Sequence, residues 1–248
     1  MALMETRALG IRVGDRPLIN ALNWRVQKGE FWCVLGRNGA GKSMLLHVLS
    51  GLRAADEGMV RIGGRPIHQI TLAEQARLRG LMPQQSIDSF SCSVADAVAI
   101  ARTPWQLDSS WDDEAETGII RNALNQIGMQ DRIDDDVTRL SGGERQRVAF
   151  AAMLAQDPQL MMFDEPTSHQ DVAQQLLLMR LMRQLSEHHA VVASCHDINL
   201  ATRFATHVLL LGDGFHHAGN AADILTPELL GPAFGCTFVR AGDLFVAA

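Results

Sequence analysis

"GRNGAGKS" (36–43) decides how this chain is read. It fits G-x-x-x-x-G-K-S and stands between an apolar run, "FWCVL" (31–35), and a helical one, "MLLHVLSGL" (44–52). Strand, glycine turn and helix in that order make a phosphate cradle. Gly36, Gly39 and Gly41 let the backbone curl until successive N–H groups face phosphates, with a helix N-terminus behind them. Lys42 is placed to reach the β- and γ-phosphates, and the Ser43 hydroxyl to ligate Mg²⁺. The bland alternative, a glycine turn that binds nothing, is disfavoured by the strand before it and the helix after it.

Three more apolar runs lie further on: "LMMF" (160–163), "AVVAS" (190–194) and "HVLLL" (207–211). Hydrophobicity that is continuous rather than alternating predicts strands buried on both faces, as in a parallel sheet covered by helices. Between them Val172, Leu176, Met179, Met182 and Leu185 form an apolar stripe at helical spacing, with Arg180, Arg183 and Glu187 off it. Strands alternating with helices predict an α/β fold. Asp164 and Glu165 end the run 160–163, and carboxyl ends of such strands are where ligands bind. Asp164 is expected to hold Mg²⁺ through water, and Glu165 to orient and polarise an attacking water. His196 follows the run 190–194, placed for a hydrogen bond to a γ-phosphate. The histidine pairs at 188–189 and 216–217 are expected in exposed turns.

From about 86 to 155 the strand–helix rhythm breaks. Helical stretches around 93–102 and 113–128 and the acidic "DRIDDDV" (131–137) predict a helical subdomain inserted between core segments of about 1–85 and 156–248. The first thirty or so residues and "GMVRIGGRPI" (58–67) read as short antiparallel strands. The 248 residues suffice for one such domain, and a net charge of −6 argues against nucleic acid as the main partner. Cys33, Cys92, Cys195 and Cys236 are scattered without a C-x-x-C pair, as expected of reduced thiols in a cytoplasmic protein. The N-terminus has no signal-peptide pattern and no apolar run is long enough to span a bilayer, so a soluble chain is expected.

A second serine-glycine turn, "LSGGERQRV" (140–148), is harder to place. Ser141 alone could cap a helix, but two glycines followed by "ERQR" go beyond a cap. Together the segments resemble the ATPase subunit of ABC transporters over essentially the whole chain. They follow the family's order: Walker A (36–43), a glutamine after "GLMP" (Gln84, with Gln85 beside it), the signature "LSGGERQ" (140–146), Walker B "LMMFDE" (160–165), "SHQD" (168–171) at the D-loop and His196 at the switch position. The resemblance implies a RecA-like P-loop core with an antiparallel β subdomain and an inserted helical subdomain. It implies ATP held by Gly36, Arg37, Asn38, Gly39, Ala40, Gly41, Lys42, Ser43 and Met44, Mg²⁺ held by Ser43, Gln84 and Asp164, and catalysis by Glu165, His196 and Lys42. It also implies a head-to-tail dimer in which Ser141, Gly142, Gly143 and Glu144 complete the opposite ATP site, with Asp171 in the D-loop.

The implied partners are a second copy, a multi-span membrane permease and, indirectly, a periplasmic substrate-binding protein. The implied place is the cytoplasmic face of the inner membrane. "VADAVAIARTPW" (94–105) and "ILTPELLGPAFGCTFV" (224–239) are similar to ATPases that serve uptake of ferric siderophores, haem or cobalamin. Import of another small solute, a soluble ABC ATPase working on nucleic acid or ribosomes, and a phosphate-loop kinase are the alternatives; the last leaves the signature unexplained. The chain departs from the family's pattern in three places. Val13 stands where an aromatic ring usually meets adenine, in a chain without tyrosine; Gln170 replaces a leucine, and Met44 a threonine.

Overall fold

Alternate residues of the apolar runs point into two different cores. Phe31, Cys33 and Leu35 join Phe163, Ala193 and Leu210 in one, whereas Trp32 and Val34 join Met162, Val192 and Leu209 in the other. Each run is therefore a central strand with both faces covered, as its unbroken hydrophobicity predicts.

The computed structural model describes residues 2–84, 91–106, 113–168 and 170–248. In chain order, β1 (Met4–Val13), β2 (Arg16–Val26) and β3 (Phe31–Leu35) lead to α1 (Lys42–Leu49), then β4 (Glu57–Ile62), β5 (Arg65–Pro66), α2 (Leu72–Leu78) and β6 (Arg79–Met82). Helices α3 (Val94–Ala99), α4 (Asp113–Gln126) and α5 (Gly142–Gln156) follow. The chain then returns through β7 (Leu160–Phe163), α6 (Val172–Leu185), β8 (Ala190–Ser194), α7 (Ile198–Phe204) and β9 (His207–Leu211). It closes with β10 (His216–Asn220), α8 (Ala221–Ile224), α9 (Pro227–Phe234), β11 (Phe238–Ala241) and β12 (Leu244–Ala247).

The main sheet has the order β10-β9-β3-β8-β7-β6. Its inner pairs are parallel, and β10 adds an antiparallel edge. A second, antiparallel sheet, β2-β1-β4-β5, packs with α1 over one face. Helices α4, α5 and α6 contribute Leu124, Phe150, Met153 and Met179 to the other. This is the α/β phosphate-loop core with an added antiparallel sheet and helices that the sequence predicts.

Four details differ from expectation. Strands β1 and β2 are not short: they run 10 and 11 residues and pair with bulges. His216 and His217 open β10 rather than a turn, paired with Leu211 and Leu210, so the edge strand draws them in. His189 is half-buried, its Nδ1 3.0 Å from the Pro158 carbonyl oxygen. Val172 is 72% exposed, because it lies in the first turn of α6, ahead of the part that meets the core; Leu178 joins Met179 and Met182 inside.

Trp105 sits where the helical region meets the core. Its Nε1–H donates to the Gln156 carbonyl at 2.9 Å, and its ring has the Arg77 and Arg102 guanidinium groups 5.1 and 5.4 Å from its centre. Arg102 also grips Glu116 with two hydrogen bonds of 2.6 and 2.8 Å, and both side chains are largely buried. A bidentate pair in that setting fixes orientation as well as contributing charge.

Candidate functional site

The parallel strands end along one edge of the sheet, and the candidate residues end with them. After β3 the loop 36–41 turns into α1. Gly36, at φ 151°, lies so close to the Leu211 carbonyl that a Cβ would come within 2.6 Å of it, and Gly41, at φ 97°, is the left-handed N-cap of α1. That helix start has no side-chain cap. The N–H groups of Gly41, Lys42, Ser43 and Met44 precede the first intrahelical bond, Leu45 N–H to Gly41 O at 2.8 Å. They form a helix end suited to an anion.

Lys42 is 5% exposed and folds back over the loop, donating to the Gly36 and Arg37 carbonyls at 3.0 and 3.3 Å. Burial lowers its pKa, and the Glu165 and Asp164 carboxylates oppose that. A cation so placed lacks a strong counter-ion, which an incoming phosphate would supply.

The acidic pair is built differently. Asp164 is buried and accepts from the Ser194 hydroxyl at 2.6 Å, while that hydroxyl also receives the Glu165 N–H at 2.8 Å. Ser194 ends β8, the neighbour of β7, so one hydroxyl fixes both acids. Glu165 has φ 49°, a left-handed conformation that costs a non-glycine residue about 1–3 kcal/mol and persists only where surroundings over-determine it. Its carbonyl receives the Ser168 N–H at 3.1 Å, the Ser168 hydroxyl at 2.8 Å and the Gln146 amide at 3.0 Å. Its carboxylate accepts from the Gln84 Nε2 at 2.8 Å, across 81 positions of sequence. The loop from β6 and the loop from β7 therefore meet at the glutamine and the glutamate.

A cavity of about 550 Å³ joins these parts, with Lys42, Ser43, Met44, Gln84 and Glu165 on its wall. Its far side is Val13, Arg16 and Leu18 from the first hairpin. Among the described residues no aromatic ring lines it, and Trp24, Phe31 and Trp32 are all buried in the cores. Val13 is half-exposed there. Asn38 and Gly39 border both this cavity and a second, of about 280 Å³, that Arg37 and Ala40 also line.

The oxygen donors suit a hard cation. A Ser43 hydroxyl, the Gln84 carboxamide oxygen left over once its nitrogen meets Glu165, and the second Asp164 oxygen are the donor types Mg²⁺ takes alongside phosphates. Among the described residues no group of three or more His, Cys, Asp and Glu side chains could hold a metal ion.

Other expected site residues lie outside this cavity. His196 is exposed just beyond β8, on the same sheet edge but off the cavity wall. Asp171 caps α6, accepting from the Gln174 N–H at 2.9 Å. Ser141 caps α5 through a reciprocal box: its hydroxyl receives the Glu144 N–H at 3.3 Å, and the Glu144 carboxylate receives the Ser141 N–H at 2.8 Å. Gly142 is exposed beside it. Within one chain the second glycine turn thus makes the contacts of a helix cap and touches no part of the first. Gln85 and His169 lie outside the described residues.

Ser194 and Arg16 did not stand out in the sequence, and Gln146 did so only as the last residue of the signature. A hydroxyl closing an apolar strand was the one available sign for Ser194; Arg16 is marked only by the contacts folding gives it.

A strand, glycine loop and helix cradle with an acid pair on the next-but-one strand defines a P-loop nucleotide-binding protein. The family model for "ABC transporter" matches residues 19–168. The hemin import ATP-binding protein HmuV of Deinococcus radiodurans is 39% identical, over 92% of this chain and 88% of that protein. The iron(3+)-hydroxamate import ATP-binding protein FhuC of Bacillus subtilis is 32% identical, over 94% and 88%. Among solved structures, an inward-facing metal-chelate type ABC transporter superposes with a TM-score of 0.82 at 26% identity, over 100% of this chain and 96% of that one. The chain belongs to the ABC transporter family, as an ATP-binding chain.

Proposed function

We propose that this chain is the ATP-hydrolysing subunit of an importer for a metal chelate such as an iron siderophore, haem or cobalamin. It works as a head-to-tail pair on the cytoplasmic face of a membrane permease. The observation that carries the ATPase reading is the meeting of Lys42, Ser43, Gln84 and Glu165 on one cavity, with Asp164 beneath it. The import reading is supported by relatives named for hemin and iron(3+)-hydroxamate import. Among the described residues no helix is long and apolar enough to cross a membrane.

The N–H groups at the head of α1 and the Lys42 ammonium take the β- and γ-phosphates, Lys42 exchanging two carbonyl contacts for phosphate oxygens. Ser43, Gln84 and Asp164 would hold Mg²⁺, which when bound neutralises charge between the phosphates. Glu165 accepts a hydrogen bond from the attacking water and aligns it with the γ-phosphorus. The water oxygen bonds to that phosphorus as the bond to the ADP oxygen breaks, and His196 steadies the γ-phosphate. The partner subunit's Ser141, Gly142 and Gly143 close the site from the other side. Because the γ-phosphate then joins two chains, ATP favours the closed pair and hydrolysis releases it.

The division into a core (about 1–85 and 156–248) and a helical insert (about 86–155) gives the permease its seat. A cavity of about 230 Å³ lies beside Met82 and Pro83, walled by Ala97 and Ala101 on one side and Val148 and Met153 of α5 on another. A short permease helix fits there, two residues from Gln84, so the ATP site senses the membrane partner. A periplasmic protein delivers the chelate without touching this chain.

Glu165→Gln tests the catalytic assignment. It should keep ATP binding and the ATP-closed pair while slowing hydrolysis about 100-fold or more, the range of general-base assistance. Near-normal turnover, followed by phosphate release, would remove Glu165 from the role.

A further inference from the structure

Gln170 departs from the family's pattern, and the structure gives it a task. Its Nε2 donates twice, to the Gly143 carbonyl at 3.0 Å and to the Gln146 Oε1 at 2.9 Å. The Gln146 amide, 8% exposed, then donates to the Glu165 carbonyl at 3.0 Å. Two glutamines thus connect the second residue of α5 to the backbone of the acid on β7. In Gln146 both ends of the amide are used, so the relay has one orientation: acceptor toward Gln170, donor toward Glu165.

The receiving end is where such a tie matters. Glu165 holds a left-handed backbone conformation that its neighbours must enforce. Its remaining backbone bonds come from Ser194 and Ser168, both on its own side of the cleft toward β8 and the loop it begins. The Gln146 bond links its carbonyl to α5. Leucine or methionine at 170 would fill space but offer no donor, leaving the Gln146 oxygen to find another partner.

We infer that Gln170 is a positioning residue: it fixes the orientation of the Gln146 amide, which ties the backbone of Glu165 to α5, so that the carboxylate stands where it can align water. The inference rests on the reading of Glu165 as the water-orienting acid. If α5 also faces the partner's nucleotide, the acid of one site is held by the helix head that serves the other.

The test is a double-mutant cycle on the purified pair. Gln170→Met, close in volume to the native side chain, should lower kcat for ATP about tenfold, the scale on which sub-ångström misplacement acts, with KM within about twofold. In a Glu165→Gln background the same substitution should lower the residual rate less than about twofold, because the carboxylate it places is gone. Gln146→Met should reproduce both results, and unchanged melting temperatures exclude unfolding. Wild-type kcat in Gln170→Met, or an equal loss in both backgrounds, overturns the inference. Normal hydrolysis by Glu165→Gln alone would instead overturn the catalytic reading beneath it.

Discussion

Two helices of this molecule begin with glycine turns, and they begin in opposite states. Helix α1 opens on Gly41 with no side-chain cap, its first N–H groups directed at an anion cavity and Lys42 beside them. Helix α5 opens on Ser141 with a full capping box, and its start carries the Glu144 carboxylate where a phosphate would bring its own charge. Hydrogen bonds from Ser141 hold that carboxyl below its usual pKa, aided by Arg132 at 3.3 Å. One helix head is therefore open before ligand arrives, while the other is satisfied by its own residues. A site assembled from both can be preorganised on one side and conditional on the other.

The comparison breaks outright if the two heads do not act in trans. Lys42→Ala should abolish hydrolysis by removing the cation at α1, and Ser141→Arg should abolish it by blocking α5. Mixed, the two inactive proteins should recover activity in heterodimers, which contain one site with both wild-type heads. Phosphate release from the mixture reads this directly; no recovery from demonstrated heterodimers would mean the heads serve separate roles or that both sites must fire.

A smaller effect should follow from uncharging the second head. Glu144→Gln keeps a cap acceptor but removes the negative charge. A charge at a helix start is worth about 0.3–1 kcal/mol, so ATP-dependent pairing should tighten roughly two- to fivefold while the melting temperature falls slightly. Weaker pairing at unchanged stability would show that Glu144 contributes to the partner's site rather than occupying it.

The smallest expected effect lies just upstream. Asp136 accepts from the Ser91 hydroxyl at 2.5 Å and from the Thr138 hydroxyl and N–H at 2.7 and 2.9 Å, anchoring the turn that leads to Leu140. Those bonds lower its pKa from 3.8 to about 2. A carboxylate depressed on folding contributes stability above its unfolded pKa and loses it as pH falls through the folded one. The stability gap between wild type and Asp136→Asn should therefore be constant above about pH 5 and close between roughly pH 4 and pH 2 in urea melts. A gap that persists at pH 2 would place the anchor elsewhere.

What could be read from the chain divides along the same line as the two helix heads. The strand–loop–helix around Lys42 is contiguous, so its sequence carries both the local structure and the chemistry. The central strands were equally open to reading, because burial on both faces leaves an unbroken apolar run. Strand β10 was not, since His216 and His217 carry no apolar signal and owe their strand to the backbone of β9. The Gln84–Glu165 contact could be anticipated only through the family's order of motifs, and the role of Gln170 was invisible because its partners lie 24 and 27 positions away. The proposed composite site would involve two chains, and in one chain the second glycine turn shows only a helix cap.

Trp105 gives the molecule a built-in optical probe. An indole flanked by two guanidinium groups and tied to Gln156 has an emission set by the distance and angle of those charges. Trp24 and Trp32 lie against one another in a core 3–4% exposed and should contribute a steady background. Rotation of the helical region against α2 would carry Arg102 and Arg77 apart around the ring, changing the wavelength and quenching of its fluorescence. With Trp111, the fourth tryptophan of the chain, replaced by phenylalanine, such a rotation should be readable in real time without any label.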